Sequence, residues 1–514
     1  MPIKRNVLSL ATIALIISIS VFGADGKGFS VDYEAEAIIN AGSGDFAPYY
    51  IASNRHGIIT QSTDALLRVA AVKPIERGSK FSYGFAAEAL TGYSSSTDYL
   101  RYTLTDNKFT DIDRHPSALW IQQLYGEVKY RSIFLYAGMK QETSALLSFD
   151  LSSGDITESG NARPIPQIRA GFIDFQDIPL TNGWVQIQGE ISYGKFADNG
   201  WMKSHFNYYN WHINLGALYT YKRCYFRTKP SQPFSLTLGM QMSGLFGGTT
   251  YYYDNGVNYN TVKNSQSVST MIKMLLPVRG NGSDYYEGNT LGSWDILARY
   301  RLPAGAEFKA YLQKPWEDGS GIGWQNGFDG LWGVEYVAAD QGAFVSGAVV
   351  EYIDFTNQSG PLHWYPGDAP GTNLVSHVNG GDQYYNNFQT NSYMNYGMSI
   401  GTPFLRSPIY NTDGYMAFID NRVRGFHAAI KGNITSGLTY RLLGSYRKGF
   451  GDSRIPTFST RESTSMMIEG TYRLPSVDGL MIKAQMAFDA GSMYGNRFGA
   501  LFSVTYSGYL NLRK

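Results

Sequence analysis

The stretch WVQIQGEISY, Trp184 to Tyr193, alternates without a break. Val185, Ile187, Gly189 and Ile191 fall on one face, and Gln186, Gln188 and Glu190 on the other. Successive side chains of a strand point to opposite faces, so this run reads as a strand with one apolar and one polar side. About ten residues is also the length a tilted strand needs to cross a bilayer. DYEAEAII repeats the pattern, with Tyr33, Ala35, Ala37 and Ile39 opposed to Glu34 and Glu36. So does GLMIKAQMAFD, with Ile482, Ala484, Met486 and Phe488 opposed to Lys483 and Gln485. LFSVTYSGYL, near the end of the chain, sets Phe502, Val504 and Tyr506 against Ser503 and Thr505. A soluble sandwich alternates too, but over shorter strands. The pattern is that of a transmembrane β-barrel, apolar towards lipid and polar towards the lumen.

Outward from these four runs, about 18 such segments can be placed. They lie near 29–40, 65–74, 81–92, 119–131, 132–141, 167–178, 183–193, 208–221, 231–245, 292–302, 306–315, 330–338, 343–354, 423–433, 436–447, 462–474, 479–490 and 498–510. The connections supply a second signal. Those after even-numbered strands are short, among them PIERGSK, LTN, PAG, DQGA and IT, whereas those after odd-numbered strands are mostly long, the longest at 246–291 and 355–422. Outer-membrane barrels have short periplasmic turns and long outer loops. The expectation is an all-β fold: an antiparallel transmembrane barrel of about 18 strands, both ends periplasmic, with long extracellular loops partly plugging the lumen. A closed barrel satisfies its backbone polar groups without water, which is what lets it lie in lipid. Its polar interior accounts for a mean hydropathy of only −0.24.

Composition agrees with this. Tyr and Gly are abundant, with 39 and 57 residues, which suits many strands, tight turns and aromatic belts. A net charge of +1 argues against nucleic acid as a partner. Cys224 is the only cysteine, so no intramolecular disulfide can form. The chain begins MPIKRNVLSLATIALIISISVFGADG, with Lys4 and Arg5 ahead of an apolar run from Val7 to Phe22. That is the layout of a secretory signal peptide, and Val21 and Gly23 place cleavage after Gly23. Residues 1–23 are therefore read as a leader and 24–514 as one barrel domain of the outer membrane. Outer-membrane lipid and the barrel-assembly machinery follow as partners. The C-terminal strand resembles the usual assembly signal, although the chain stops at LNLRK rather than on an aromatic residue.

SGNARPIPQIRAGF, Ser159 to Phe172, stands apart from the alternating runs. Pro164 and Pro166 impose extended backbone and remove two donors, so this segment cannot join a sheet centrally. It falls at the end of the third outer loop, where it is expected to cross the mouth or fold into the lumen before running into the sixth strand. Arg163 and Arg169, with Asn161 and Gln167 beside them, would then offer planar multidentate donors to carboxylates or sugar hydroxyls. The structural alternative is that both arginines pair with lumen carboxylates such as Glu127 or Glu190.

The same stretch, followed by IPLTNGWVQIQGEISYGKFADNGW, resembles the Wzi-like capsule assembly proteins of Bacteroides-type bacteria. So do FAPYYIASNRHG (Phe46 to Gly57), EGNTLGSWDI (Glu287 to Ile296), DGLWGVEY (Asp329 to Tyr336) and NQSGPLHW (Asn357 to Trp364), spread over most of the chain. The resemblance implies an outer-membrane barrel that attaches or organises capsular polysaccharide, and a lectin-like role without catalytic turnover. It does not map sugar-contacting residues onto this chain.

No phosphate-binding loop, zinc-protease motif, dinucleotide fingerprint or serine-nucleophile elbow stands in the right context. The seven His are scattered; His205 and His212 do not have a ligand spacing on a strand. No enzyme activity, cofactor or metal is expected. The outer loops are instead aromatic: HFNYYNWH, YYYDNGVNYN, KPWEDGSGIGWQNGFDG and GPLHWYPGD mix Trp and Tyr with Asn, Asp and Gly. Apolar sugar faces cover aromatic rings while amides and carboxylates take the hydroxyls. Trp316, Trp324, His363 and Trp364 are the candidate platforms, with an interfacial aromatic girdle as the structural alternative. The expected function is binding of capsular or extracellular polysaccharide. The alternative, on the same fold, is a diffusion porin or specific channel.

Overall fold

The computed structural model describes residues 29–275, 288–317, 319–358, 363–366, 376–379, 382–387, 390–452 and 456–512. The leader expected at 1–23 lies outside these residues. Eighteen antiparallel strands form one closed barrel: β1 Phe29–Phe46, β2 Gln61–Lys73, β3 Phe81–Ser94, β4 Leu119–Tyr130, β5 Ile133–Met139 and β6 Gln167–Phe172. β7 Val185–Lys195, β8 Leu218–Thr228, β9 Phe234–Phe246, β10 Asn289–Arg301, β11 Glu307–Trp316 and β12 Gly330–Val337 follow. β13 Gly347–Asp354, β14 Val423–Asn433, β15 Leu438–Gly451, β16 Pro456–Arg473, β17 Leu480–Gly491 and β18 Arg497–Leu512 complete the wall. Each strand pairs with its neighbour in sequence. β18 closes on β1 from Phe29↔Leu512 to Gly42↔Gly499, leaving no free edge.

Seventeen of the expected segments coincide with strands. The exception is the eighth, expected at 208–221 and found at Leu218–Thr228. The aromatic run before it does form a strand, His212–Leu215, but that strand pairs with Thr249–Asp254 in a small sheet outside the wall. Its β propensity is real; only tertiary context tells a loop sheet from a barrel strand.

Alternation sets the two faces. In β18 Phe502 is half exposed while Ser503 is buried, and in β17 Met486 is exposed while Gln485 is buried. Outward-facing Phe81, Tyr130, Phe234, Tyr300, Phe308 and Tyr472 gather at the rim of the short connections, an aromatic girdle. The inner wall carries charged ladders. Arg68 bonds Glu88 at 2.8 Å and also reaches Glu34 and Glu36, and Lys140 bonds Glu127 at 2.6 Å.

All the connections after even-numbered strands lie at one rim together with Phe29 and Leu512, and the long connections lie at the other. Two connections after odd-numbered strands, 452–455 and 492–496, are short as well. The long connections turn inwards. Ser152 Oγ and Ser153 N donate to Glu351 of β13 at 2.8 and 2.7 Å. Gln241 of β9 and Gln313 of β11 both donate to Asp155, at 2.9 and 2.8 Å. Tyr49 N donates to Asp489 of β17 at 2.9 Å, and the His427 ring on β14 is bonded to Leu151 O at 2.7 Å. Loop residues thus satisfy polar groups on strands around the whole wall, and Tyr384, Tyr385, Tyr393, Phe404 and Phe418 form a buried core inside the barrel. The described parts of these connections thus occupy part of the lumen.

The side to which each rim faces is a separate expectation. A protease site inserted within 370–385 should be cut on intact cells and one at 303–305 should not. The opposite accessibility would reverse the orientation.

Candidate functional site

The Arg-Pro-Ile-Pro segment runs along the inside of the mouth, and its two arginines have different fates. Arg169 starts in β6 and is fully buried. Its guanidinium takes both oxygens of Glu158 at 2.9 Å, donates through Nε to Glu190 at 3.0 Å, and lies 4.4 Å from the centre of the Tyr221 ring. The pairing with Glu190 is the one named by the structural alternative, and Glu158, which adds the bidentate contact, comes from the loop itself. Arg163 has no carboxylate partner among the described residues. It is held between two rings, 4.5 Å from the centre of Trp120 and 4.6 Å from that of Tyr396, and its Nε donates weakly to Gly57 O at 3.4 Å. Burial lowers the Arg163 pKa to about 10, a shift that Tyr396 opposes, so the group stays cationic at neutral pH.

Arg163 lines a groove of about 200 Å³. Five connections meet there: Gly57 and Thr60 from β1–β2, Tyr99 and Arg114 from β3–β4, Arg163 from β5–β6, Trp201 and His205 from β7–β8, and Tyr396 from β13–β14. A short helix, Trp201–His205, supplies the aromatic floor. Its first turn is capped by Asp198, whose carboxylate accepts from Met202 N at 2.9 Å. The Trp201 and His205 rings stack with centroids 4.1 Å apart, and Tyr99 meets His205 edge-on at 4.8 Å. Burial lowers the His205 pKa to about 4, so this stack is neutral at physiological pH. Gly397 sits directly beneath Trp201, where a Cβ would come within 2.4 Å of the indole and where φ is +75°. The groove combines a cation, apolar ring faces and exposed polar edges. It is smaller than a drug-sized pocket and matches one or two groups of a longer chain.

The other expected residues do not gather here. Asn161 is fully buried; its side chain accepts from Asn54 N at 3.1 Å and donates to Ser399 O at 3.0 Å, tying three connections together. Gln167 is buried in β6, with its Oε1 unpaired among the described residues. Trp316 is wholly enclosed at the end of β11, so close to Gly292 that a Cβ there would fall 2.2 Å from the indole. Trp324 is about half exposed, away from the groove, and has φ +62°. His363 and Trp364 lie in a short strand, His363–Pro366, paired with Ser376–Asn379, and their side chains lie outside the described residues. Trp201, His205 and Tyr396 were not marked by the sequence as site residues. The one signal for Trp201 is its place after the turn sequence Asp198-Asn199-Gly200 within a long connection.

No protein-family model and no curated protein sequence matches the chain. Among solved structures it is similar to Wzi of Escherichia coli, described as an outer membrane protein involved in group 1 capsule assembly and a carbohydrate-binding β-barrel. The two are 12% identical over 96% of this chain and 87% of that one, with a TM-score of 0.54. Similarity extends to OccAB2 of Acinetobacter baumannii, at 10% identity over 94% of this chain and 98% of that one, with a TM-score of 0.46. OprD of Pseudomonas aeruginosa aligns at 10% identity over 95% and 98%, with a TM-score of 0.43. At these identities the likeness is one of architecture: the chain has the fold of the outer-membrane β-barrels.

Proposed function

We propose that this protein resides in the outer membrane and binds or organises capsular or extracellular polysaccharide at the cell surface, without catalytic turnover. The observation that carries the reading is Arg163, a cation without a carboxylate, held between Trp120 and Tyr396 where five long connections converge. A guanidinium fixed by two rings is already ordered, so an acidic or hydroxyl-rich glycan gains its hydrogen bonds with little further loss of entropy. The half-buried Trp201 lines the same groove and adds apolar ring surface to it. The carbohydrate-binding description of Wzi supports the same reading, and a lumen occupied in part by its own loops suits retention of a polymer better than passage of solutes. Outer-membrane lipid would contact the girdle and the apolar outer wall, and the assembly machinery would insert the barrel.

The test is a pair of variants, Arg163→Gln and Trp201→Ala. Both should keep the heat-modifiable mobility of a folded barrel. Surface polysaccharide retention should fall, and binding of the purified polysaccharide should weaken about tenfold or more, the worth of one charge-assisted hydrogen bond. The Arg163 effect should be larger at low salt. Unchanged retention and binding in both folded variants would remove the groove from the account.

A further inference from the structure

A second cavity, of about 650 Å³, lies on the far side of the loop plug and opens towards the short connections. Its ceiling is made by loop residues Tyr49 to His56 and Asp150 to Ser153, and its walls by inward faces of β1, β2 and β14 to β17. Segment 53–58 separates it from the groove. Arg55 and His56 face this cavity while Gly57, one residue on, lines the other.

The lining is unbalanced in charge. Six cations, Arg55, Arg68, Lys431, Arg441, Arg473 and Lys483, face three lining carboxylates, Glu36, Asp150 and Glu469, and two more carboxylates, Glu34 and Glu88, reach Arg68 from beside the lining. Each carboxylate is already engaged. Glu36 lies 3.3 Å from Arg68, Asp150 is 2.9 Å from Lys431, and Glu469 is 2.9 Å from Arg441. That leaves Arg55, Arg473 and Lys483 without a carboxylate at ion-pair distance among the described residues. Arg55 is mostly buried, and its guanidinium rests on a neutral amide, Gln485 Oε1, at 2.7 Å. Sheltered charges are normally paired, because desolvation costs several kcal/mol that only a counter-charge or full hydrogen bonding offsets. Arg473 is exposed and needs no partner, but Arg55 and Lys483, both partly sheltered and left over around one cavity, mark the place of an anion. The cavity falls within the usual range of small-molecule sites, about 300–1,000 Å³.

We propose that this vestibule is a second binding site, for a carboxylate- or phosphate-bearing sugar, reached from the end of the barrel opposite the groove. Arg55 and Lys483 bind the acid group, and Arg473 attracts it at the entrance. The site is independent of what the groove binds.

Calorimetric titration of the purified, folded barrel at low salt tests this, with digalacturonate and glucose 1-phosphate as anionic probes and maltose as the neutral one. At least one anionic probe should bind in a manner that depends on Arg55 and Lys483, and maltose should show no such dependence. Binding of digalacturonate alone would identify a uronate site, and of glucose 1-phosphate alone a phosphate site. Joint replacement Arg55→Gln with Lys483→Gln should weaken binding at least about tenfold. Arg77→Gln, at an exposed cation of a short connection that lines neither cavity, should leave it unchanged. Should the double variant fail to fold, Arg473→Gln, at the exposed rim, should still weaken binding about threefold and flatten its salt dependence. Absence of binding by both anionic probes would overturn the proposal. So would binding that survives loss of these cations.

Discussion

Replacing Arg169 with glutamine is expected to destabilise the folded protein by about 3–5 kcal/mol, with the loss concentrated in the plug. The guanidinium links Glu158, on the loop, to Glu190, on the wall. Without it Glu158 is a buried carboxylate with no cation, whereas Glu190 keeps Arg223 at 3.2 Å. The loop must then leave the lumen or take up a proton, and segment 140–166 should become open to protease in the purified barrel. Removing both ends of the link, Arg169→Met with Glu158→Met, should cost less than the single change because no orphan charge remains. A loss below about 1 kcal/mol in the single variant, with the loop still protected, would show that the ion cluster does not hold the plug.

Tyr385→Ala is expected to cost about 3–5 kcal/mol, the range for deleting a buried aromatic side chain. Tyr385 is the hub between the two inserted connections. Its ring packs 5.2 Å from Phe418 and 5.7 Å from Tyr393, and its hydroxyl donates to Ile156 O on the other connection. Gly401 lies in the same seam, where a Cβ would come within 2.0 Å of Ile156 O and 2.5 Å of the Tyr385 hydroxyl. Tyr385→Phe keeps the packing and should cost only about 1 kcal/mol. Hydrogen exchange along 152–162 and 382–421 reads both effects. The alanine variant should lose protection in both segments together, while the strands keep theirs. Loss in one segment alone would mean that the connections pack independently.

The wall was legible in the sequence because each strand is half in contact with an apolar and half with a polar surroundings, and that division is written residue by residue with a period of two. It failed at the eighth strand, where HFNYYNWHINL carries strand propensity but spends it on a sheet within the loops. The interior of the plug was not legible, because loops carry no period. Nothing in the local sequence distinguishes Arg163, stacked between rings, from Arg169, enclosed by two carboxylates, although they stand six residues apart in one motif. Trp201 and Tyr396 meet Arg163 only through the folding of three separate connections. The same holds for Arg55, whose want of a carboxylate is a property of the assembled cavity. Trp316, chosen as an exposed platform, is enclosed because the residues after β11 fold back over it.

Connections packed into the lumen should let the barrel hold a polymer at its surface and keep it from passing solutes. Planar-bilayer recording from the purified wild-type protein tests this most directly. The account predicts insertion without large, stable conductance, and the appearance of such conductance when Arg169→Gln frees the loop. Large, stable channels from every inserted wild-type molecule would contradict it and establish the barrel as a diffusion channel.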